Sequence, residues 1–360
     1  MKTAKGAKDY FFDDKPIFGL DIGHDTLRVM QLEPGGHRKE LRLKGYGSVS
    51  FDPSAIVDGV ITKPEVIARA AVTMFRKDLV GDIGTKRVAA SLPARRALTR
   101  AVRLPKMGAK DIDDAVQTEI EQYIPGHADE YYMDYTPIRE DQEGSEMFVV
   151  AMPKKIVDSY LVLTRMLGLE AVLLDTTIGA STHLFGYDRQ SGIPSVLIDF
   201  GSESTDVSIF NRGLLATGTV AFGGDYSTAA IAKVLRVTPR EAVMLKSKYG
   251  LAPSAVQDQV MAAMESSLEV LLKEIRRTIR YYEQRYAKEP PIGQVVIMGG
   301  GANMPGMADY LTARLRLPVR SFDPATHIDF GELRPFYTAD RMSYVTVAGL
   351  AATDAGAIFA

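Results

Sequence analysis

Hydrophobic positions along this chain recur at two spacings, every second residue or every third and fourth. From Ser195 to Phe210 an apolar run of Val196, Leu197 and Ile198 ends at Asp199 and Gly201; Val207 and Ile209 then alternate with Asp206 and Ser208. Alternation on both sides of a short polar stretch predicts two antiparallel strands joined by a tight turn. Ile17 to Leu32 repeats this order: an apolar strand, Asp21-Ile22-Gly23, polar His24-Asp25-Thr26, and a returning strand from Leu27. Two such turns, about 180 residues apart, predict an internal repeat of half the chain.

Elsewhere the spacing is helical. Val66, Ile67, Ala70, Ala71 and Met74 predict a helix over 64–75. From Met261 to Tyr286, apolar Met264, Leu268, Leu271, Ile275, Ile279 and Tyr282 fall at steps of three and four. That stripe predicts one long helix whose methionines and tyrosines form core. Thr238 before Pro239 has the form of a helix N-cap. Between about 100 and 168 a strand is followed by a helix with Ile112, Val116, Ile120 and Tyr123 on one face. Strands at 131–137 and 147–152 come next, then a helix carrying Ile156, Val157, Tyr160, Leu161, Thr164 and Leu167. The order βαββα predicts a small self-contained block, and its acidic helix face (Asp113, Asp114, Glu119, Glu121) reads as a solvated surface. Val295 to Met298 predicts a buried strand running into Gly299-Gly300-Gly301-Ala302-Asn303, with a helix after it over 306–315.

Composition narrows this picture only slightly. The chain has 360 residues, 46% of them hydrophobic and 24% charged, with a net charge of −2. That suits an ordinary soluble protein of two domains or one large two-lobed one, and gives no reason to expect a nucleic-acid partner. There are no cysteines, which excludes disulfides, thiol catalysis and thiolate metal sites. No apolar run reaches the length of a membrane span, and Met1 to Lys15 is a charged stretch, expected to be a flexible tail, without a signal-peptide core. A cytoplasmic location is expected.

The candidate chemistry lies in the turns. Small residues such as Gly201, Ser202 and Thr205 let backbone N–H groups and hydroxyls approach a phosphate. A carboxylate such as Asp199 suits the outer sphere of hydrated Mg²⁺. Consecutive glycines after a buried strand let backbone lie flat against a ring or ribose. Each of these turns is also compatible with a plain hairpin or loop.

Taken together and in order, Asp21-Ile22-Gly23, Asp199-Phe200-Gly201 and Gly299-Gly300-Gly301-Ala302 resemble the actin-like ATPase superfamily. The inserted βαββα block sits where the FtsA and PilM families carry an extra subdomain. The chain is most similar to the PilM family of type IV pilus assembly proteins, on Phe18–Gly23, Glu119-Ile120-Glu121-Gln122-Tyr123-Ile124-Pro125, Gly223-Gly224-Asp225 with Thr228, and Val296–Pro305. The similarity runs from Ile17 to Ala352. It implies an α/β, bilobal actin-like ATPase fold with an FtsA/PilM-type inserted subdomain. The first lobe core would comprise 16–99, 169–194 and 330–360, the inserted subdomain 100–168, the second lobe core 195–240 and 291–329, and its helical part 241–290.

The same resemblance implies ATP between the lobes, with Mg²⁺ held through water by Asp21 and Asp199. Gly23, Thr26, Gly201, Ser202, Thr205, Gly224, Lys246, Gly300, Gly301 and Asn303 would line the nucleotide site. It also implies a cytoplasmic scaffold that docks the short N-terminal peptide of an inner-membrane PilN-like protein, in a groove between the first lobe and the inserted subdomain. Recruitment to the inner membrane would come through such partners. Other pilus motor or assembly components and self-association are compatible with it. An FtsA-like division protein and a sugar-kinase-type phosphotransferase are the alternatives, although residues 351–360 lack the character of an amphipathic membrane helix. Three positions depart from the family pattern. His24-Asp25 stands where small serines are usual, Thr177 where a glutamate orients water, and Val243 where a glutamate meets ribose. These departures lead to the expectation of at most weak ATPase activity, with Asp175 as the candidate water-orienting residue.

Overall fold

The computed structural model describes residues 16–35, 41–108, 111–338 and 340–353. The N-terminal tail at 1–15 and the chain end at 354–360 lie outside the described residues. In chain order the strands are β1 (Phe18–Ile22), β2 (Thr26–Pro34), β3 (Leu41–Ser50), β4 (Ile56–Val57), β5 (Val60–Ile61), β6 (Val80–Gly81), β7 (Arg87–Leu92) and β8 (Leu98–Pro105). They continue as β9 (Tyr131–Asp141), β10 (Gly144–Pro153), β11 (Glu170–Thr176), β12 (Ser195–Phe200), β13 (Thr205–Phe210), β14 (Leu214–Val220), β15 (Gln294–Met298), β16 (Val319–Ser321) and β17 (Ile328–Asp329). The helices are α1 (Pro64–Lys77), α2 (Ile112–Glu121), α3 (Lys154–Met166), α4 (Thr177–Phe185), α5 (Gly224–Leu235), α6 (Pro239–Lys248), α7 (Gln257–Arg285), α8 (Met307–Leu315) and α9 (Val345–Ala351).

The chain divides into two compact units, Met1–Pro93 with Lys155–Asp188 and Pro324–Ala360, and Ala94–Lys154 with Arg189–Asp323. The first unit is built on a sheet of order β11-β7-β1-β2-β3-β17, with β6 on β3. β1 pairs antiparallel with β2 and parallel with β7, so the central strand is buried along its whole length. Helix α9 is buried throughout and lies on β1 so closely that a Cβ on Gly19 would stand 2.4 Å from the Val347 carbonyl oxygen. Thr176 caps helix α4, its side chain accepting the Gly179 N–H at 3.0 Å.

The second unit contains a sheet of order β14-β13-β12-β15-β16 and a separate three-stranded sheet of order β8-β10-β9. Helix α7 supplies the buried stripe expected of it, with Met264, Leu268, Leu271, Ile275 and Tyr282 in one core with Val196, Ile198, Val207 and Ile297. The three-stranded sheet packs Val102, Leu104, Met147 and Val149 against Val116 and Ile120 of α2. Tyr123 is 44% exposed instead of lying on that face. The helix ends at Glu121, which takes Tyr123 out of the helical period, and its ring instead receives the Arg100 guanidinium at 3.4 Å. The βαββα order predicted for 100–168 is present, but Ala94–Lys154 groups with the second unit while α3 groups almost entirely with the first.

What ties the three-stranded sheet to α7 is a buried carboxylate. Glu146 on β10 is 1% exposed and accepts a hydrogen bond from Arg285 Nε at 2.6 Å. Arg139 Nε lies 3.0 Å from its other oxygen, and the Tyr286 hydroxyl donates to the first oxygen at 3.4 Å. Arg285 also donates to the Ala101 carbonyl at 3.2 Å, so one guanidinium spans two strands of that sheet.

Candidate functional site

In the second unit the Asp199 turn is held by backbone from three directions. Gly201 N–H donates to Ser204 O at 2.9 Å, closing the turn itself. Its outer carbonyls then accept from the start of α5: Gly224 N–H donates to Gly201 O and Asp225 N–H to Ser202 O, both at 2.9 Å. The approach needs a residue without a side chain, since a Cβ on Gly223 would lie 2.3 Å from Ser202 O. The Ser202 and Ser204 hydroxyls carry no hydrogen bond to protein among the described residues, which leaves them available to a ligand. Thr205 is different: it is fully buried, and its hydroxyl donates to the Phe222 carbonyl at 2.6 Å, so it shapes the turn from beneath.

The glycine turn after β15 packs on the same carboxylate. Gly299 has φ +80°, and a Cβ there would stand 2.2 Å from Asp199 Oδ1, a place that only glycine fills. A Cβ on Gly301 would meet the Phe200 Cβ at 2.6 Å. Gly300 is exposed, Gly301 is half-buried, and Asn303 Nδ2 donates to Gly300 O at 3.4 Å to close the short helix that follows. Lys246 on α6 donates to Gly224 O at 2.7 Å and to Thr228 Oγ1 at 2.8 Å. Burial pushes its ammonium below the usual lysine range, and Asp225 opposes this. It therefore fastens the first turn of α5, with one of its three N–H donors unassigned by those bonds.

Asp206 stands directly across from Asp199 in the β12–β13 register, which sets both side chains on one face of the sheet. Burial pushes its carboxyl up to about 6, although Thr219 donates to Oδ1 at 2.6 Å and the Arg95 charge lies nearby. Arg95 itself pairs with Glu203 of the turn at 2.9 Å. Neither Asp206 nor Arg95 stood out in the sequence. The alternation that places Val207 and Ile209 inside also places Asp206 on the face of Asp199, which is the signal that finds it.

In the first unit the Asp21 turn is closed by Gly23 N–H donating to Thr26 O at 2.9 Å. Thr26 donates its hydroxyl to Asp25 Oδ1 at 2.8 Å. Asp21 is buried, accepts the Ser91 hydroxyl at 2.7 Å, and has Arg28 Nη1 3.7 Å from its second oxygen. Desolvation holds its carboxyl above the usual range, against the opposing pull of Arg28 and Ser91. Asp175 is the penultimate residue of β11, accepting Thr176 N–H at 2.6 Å and lying 3.5 Å from His183 Nε2. A Cβ on Gly179 would stand 2.2 Å from its Oδ1, so this carboxylate lies against the first turn of α4. Thr177 is the first residue of that helix, and Val243 is exposed on α6.

The donor set of the second unit fits a phosphate ester with a hydrated divalent cation. It offers free hydroxyls, a glycine turn and a carboxylate that can accept from metal-bound water. Among the described residues there is no group of three or more acidic or histidine side chains that would grip a bare ion.

Comparison with known proteins gives the family. A profile described as type IV pilus assembly protein PilM matches residues 19–354. Among solved structures, the PilM-PilN type IV pilus biogenesis complex superposes with a TM-score of 0.79 at 22% identity, over 94% of this chain and 98% of that one. MreB5 of Spiroplasma citri, solved with ADP, superposes with a TM-score of 0.53 at 11% identity, over 94% and 95% of the two chains. The cell division protein FtsA of Streptococcus pneumoniae serotype 2 is 22% identical over 351 residues, 85% of this chain and 75% of FtsA. The fold expected from the order of the turns, the actin-like ATPase fold, is the one these structures share.

Proposed function

This chain belongs to the type IV pilus assembly protein PilM family, and on that premise we propose that it is an ATP-binding scaffold of type IV pilus assembly. It docks the cytoplasmic N-terminal peptide of an inner-membrane PilN-like protein. The observation that carries this reading is the family match, which runs through both units and includes the inserted sheet. The fold shared with a PilM-PilN complex supports the choice of partner. Among the described residues no helix is long and apolar enough to cross a membrane; in this reading the partner supplies the attachment to the inner membrane.

In the second unit, the Ser202 and Ser204 hydroxyls receive phosphate, and Gly300 and Gly301 offer flat backbone to the adenosine. Asp199 would hold hydrated Mg²⁺ through its waters when the ion is bound with the nucleotide. The bound cation supplies charge neutralisation for the phosphates. Turnover is slow, because Thr177 brings no carboxylate to the start of α4 and Asp175 is engaged with Thr176 and His183.

Fluorescence anisotropy of a labelled peptide from the partner's cytoplasmic N-terminus, titrated with the full chain, tests the scaffold role. Saturable binding that a scrambled peptide does not share is expected. Equal binding of both peptides, or of neither, overturns it. Calorimetry with ATP tests the nucleotide site separately, and Asp199→Ala should weaken Mg²⁺-dependent binding. Unchanged affinity in that variant removes Asp199 from the site.

A further inference from the structure

Helix α7 has two faces of opposite character. Met264, Leu268, Leu271, Ile275 and Tyr282 are buried in the core. Lys273, Arg276, Arg277 and Arg280, spaced three and four residues apart, are all exposed on the outer side. Two of the local carboxylates are already matched: Glu274 accepts from Arg277 Nη2 at 2.6 Å, and Glu269 pairs with Arg314 of α8. Arg276 Nη2 donates to the Arg314 carbonyl at 3.0 Å, at the C-terminal end of α8. Among the described residues Lys273, Arg276 and Arg280 have no carboxylate partner. With Glu269 and Val270 they line a hollow of about 440 Å³. Glu265 and Glu283 stand about 80° round the helix from Lys273, on one flank of the cluster. On the other flank Val270 and Tyr281 are exposed, three turns apart and so on a common face.

We propose that this face of α7 rests on a membrane surface of anionic phospholipid. Lipid phosphates offer oxygens to the ammonium and guanidinium groups, and a negatively charged leaflet attracts a cluster of cations on an amphipathic helix. The chain as a whole carries a net charge of −2, so the attraction is local to this face. A plane meets all of the cations at once, because they share one side of a single helix. The exposed valine and tyrosine beside them suit the boundary between headgroups and acyl chains, a use that a purely acidic peptide would not give them. The contact goes beyond the partner peptide and does not depend on it. Alone it is weak, each cation near such a surface being worth about a fivefold gain in partition. Joined to a partner in the same membrane, it is reinforced by effective concentration.

Co-sedimentation of the full chain with vesicles tests this. Wild type should bind vesicles of phosphatidylglycerol mixed with phosphatidylcholine, and not vesicles of phosphatidylcholine alone. Binding should fall as salt rises from about 0.1 M to about 1 M, where the screening length shrinks from about 10 Å to about 3 Å. Removing two cations, in Lys273→Gln with Arg280→Gln, should cost roughly twenty- to thirtyfold. Lys273→Arg with Arg280→Lys keeps the charge and should bind like wild type. Arg69→Gln with Arg76→Gln, at exposed positions of α1 in the other unit, makes the same change in net charge and should also bind like wild type. Circular dichroism of each variant checks that the fold is kept. The proposal is overturned if wild type ignores the anionic vesicles, if salt leaves its binding unchanged, or if the α1 variant loses as much as the α7 variant. Wild type that ignores the vesicles but captures poly-glutamate through Lys273 and Arg280 makes the face a dock for an acidic protein segment, which overturns it too. The α7 variant should bind the partner peptide like wild type in anisotropy, so failure of the lipid contact leaves the scaffold reading standing.

Discussion

Replacing Glu146 by alanine is expected to release the inserted three-stranded sheet from α7. The carboxylate is 1% exposed, with Arg285 Nε at 2.6 Å and Arg139 Nε at 3.0 Å. Deleting one partner of a buried ion pair costs about 3–5 kcal/mol, because a charge is left without its counter-charge in low dielectric. Here the stranded groups are two guanidiniums whose side chains are 32% and 41% exposed, and water reaches both. Re-solvation lowers the expectation to about 2–3 kcal/mol for Glu146→Ala. Glu146→Gln keeps an acceptor for Arg285 and loses only the charge, so it should cost about 1–2 kcal/mol. Crossing Glu146→Ala with Arg285→Ala should return a coupling energy of about 1.5–3 kcal/mol.

Urea unfolding followed by circular dichroism gives the energies, and hydrogen exchange locates them. Protection should fall in β10 and at the C-terminal end of α7, where Tyr286 packs its phenol against the pair. The exposed pair of Glu269 with Arg314, 46% and 44% exposed, is the control. Glu269→Ala should change stability by no more than about 1 kcal/mol. The reasoning fails if Glu146→Ala lies within about 0.5 kcal/mol of wild type and leaves exchange at those two elements unchanged.

Three further outcomes follow from the site. The Asp206 carboxyl is raised to about 6 by burial, so the folded chain holds that proton to a higher pH than the unfolded chain does. Stability therefore falls as pH rises from about 4 to about 6 and then levels off. Asp206→Asn, which still accepts from Thr219, should remove that slope and stabilise the protein at pH 7 by about 1–3 kcal/mol; a difference from wild type that does not vary between these pH values refutes it. Gly299→Ala places a Cβ 2.2 Å from Asp199 Oδ1 at φ +80°. It should cost at least about 1 kcal/mol and abolish Mg²⁺-dependent ATP binding by calorimetry, so retained affinity would contradict the packing described. ATP hydrolysis followed by phosphate release should run far below about 1 s⁻¹ in wild type, and Thr177→Glu should raise it; a wild-type rate in the ordinary enzyme range refutes the assignment of Thr177.

How far the site can be read from the sequence depends on how local each contact is. Both Asp-Gly turns are legible, because a hairpin declares itself by alternation on either side of a few polar residues. Its register then follows from the turn length. Counting outward from Gly23 already sets Arg28 across from Asp21, so that charge pair was available from the pattern alone. Ser91 was not. It reaches Asp21 only because β7 lies parallel beside β1, 70 residues on, and no local period announces parallel pairing. Glu146 is obscured differently. It precedes the apolar run Met147–Met152 and so looks like the polar entry to a strand, whereas β10 already begins at Gly144. Its two arginines come from the neighbouring strand and from a helix 139 residues later. Lys246 stands out in the sequence only as a candidate nucleotide contact, and its task of fastening α5 does not, because that task depends on where Gly224 O and Thr228 Oγ1 meet in space. Periodicity fixes which face of an element is buried. Which buried carboxylate meets which cation is decided by pairing between elements, and only within a single hairpin does counting along the chain settle both.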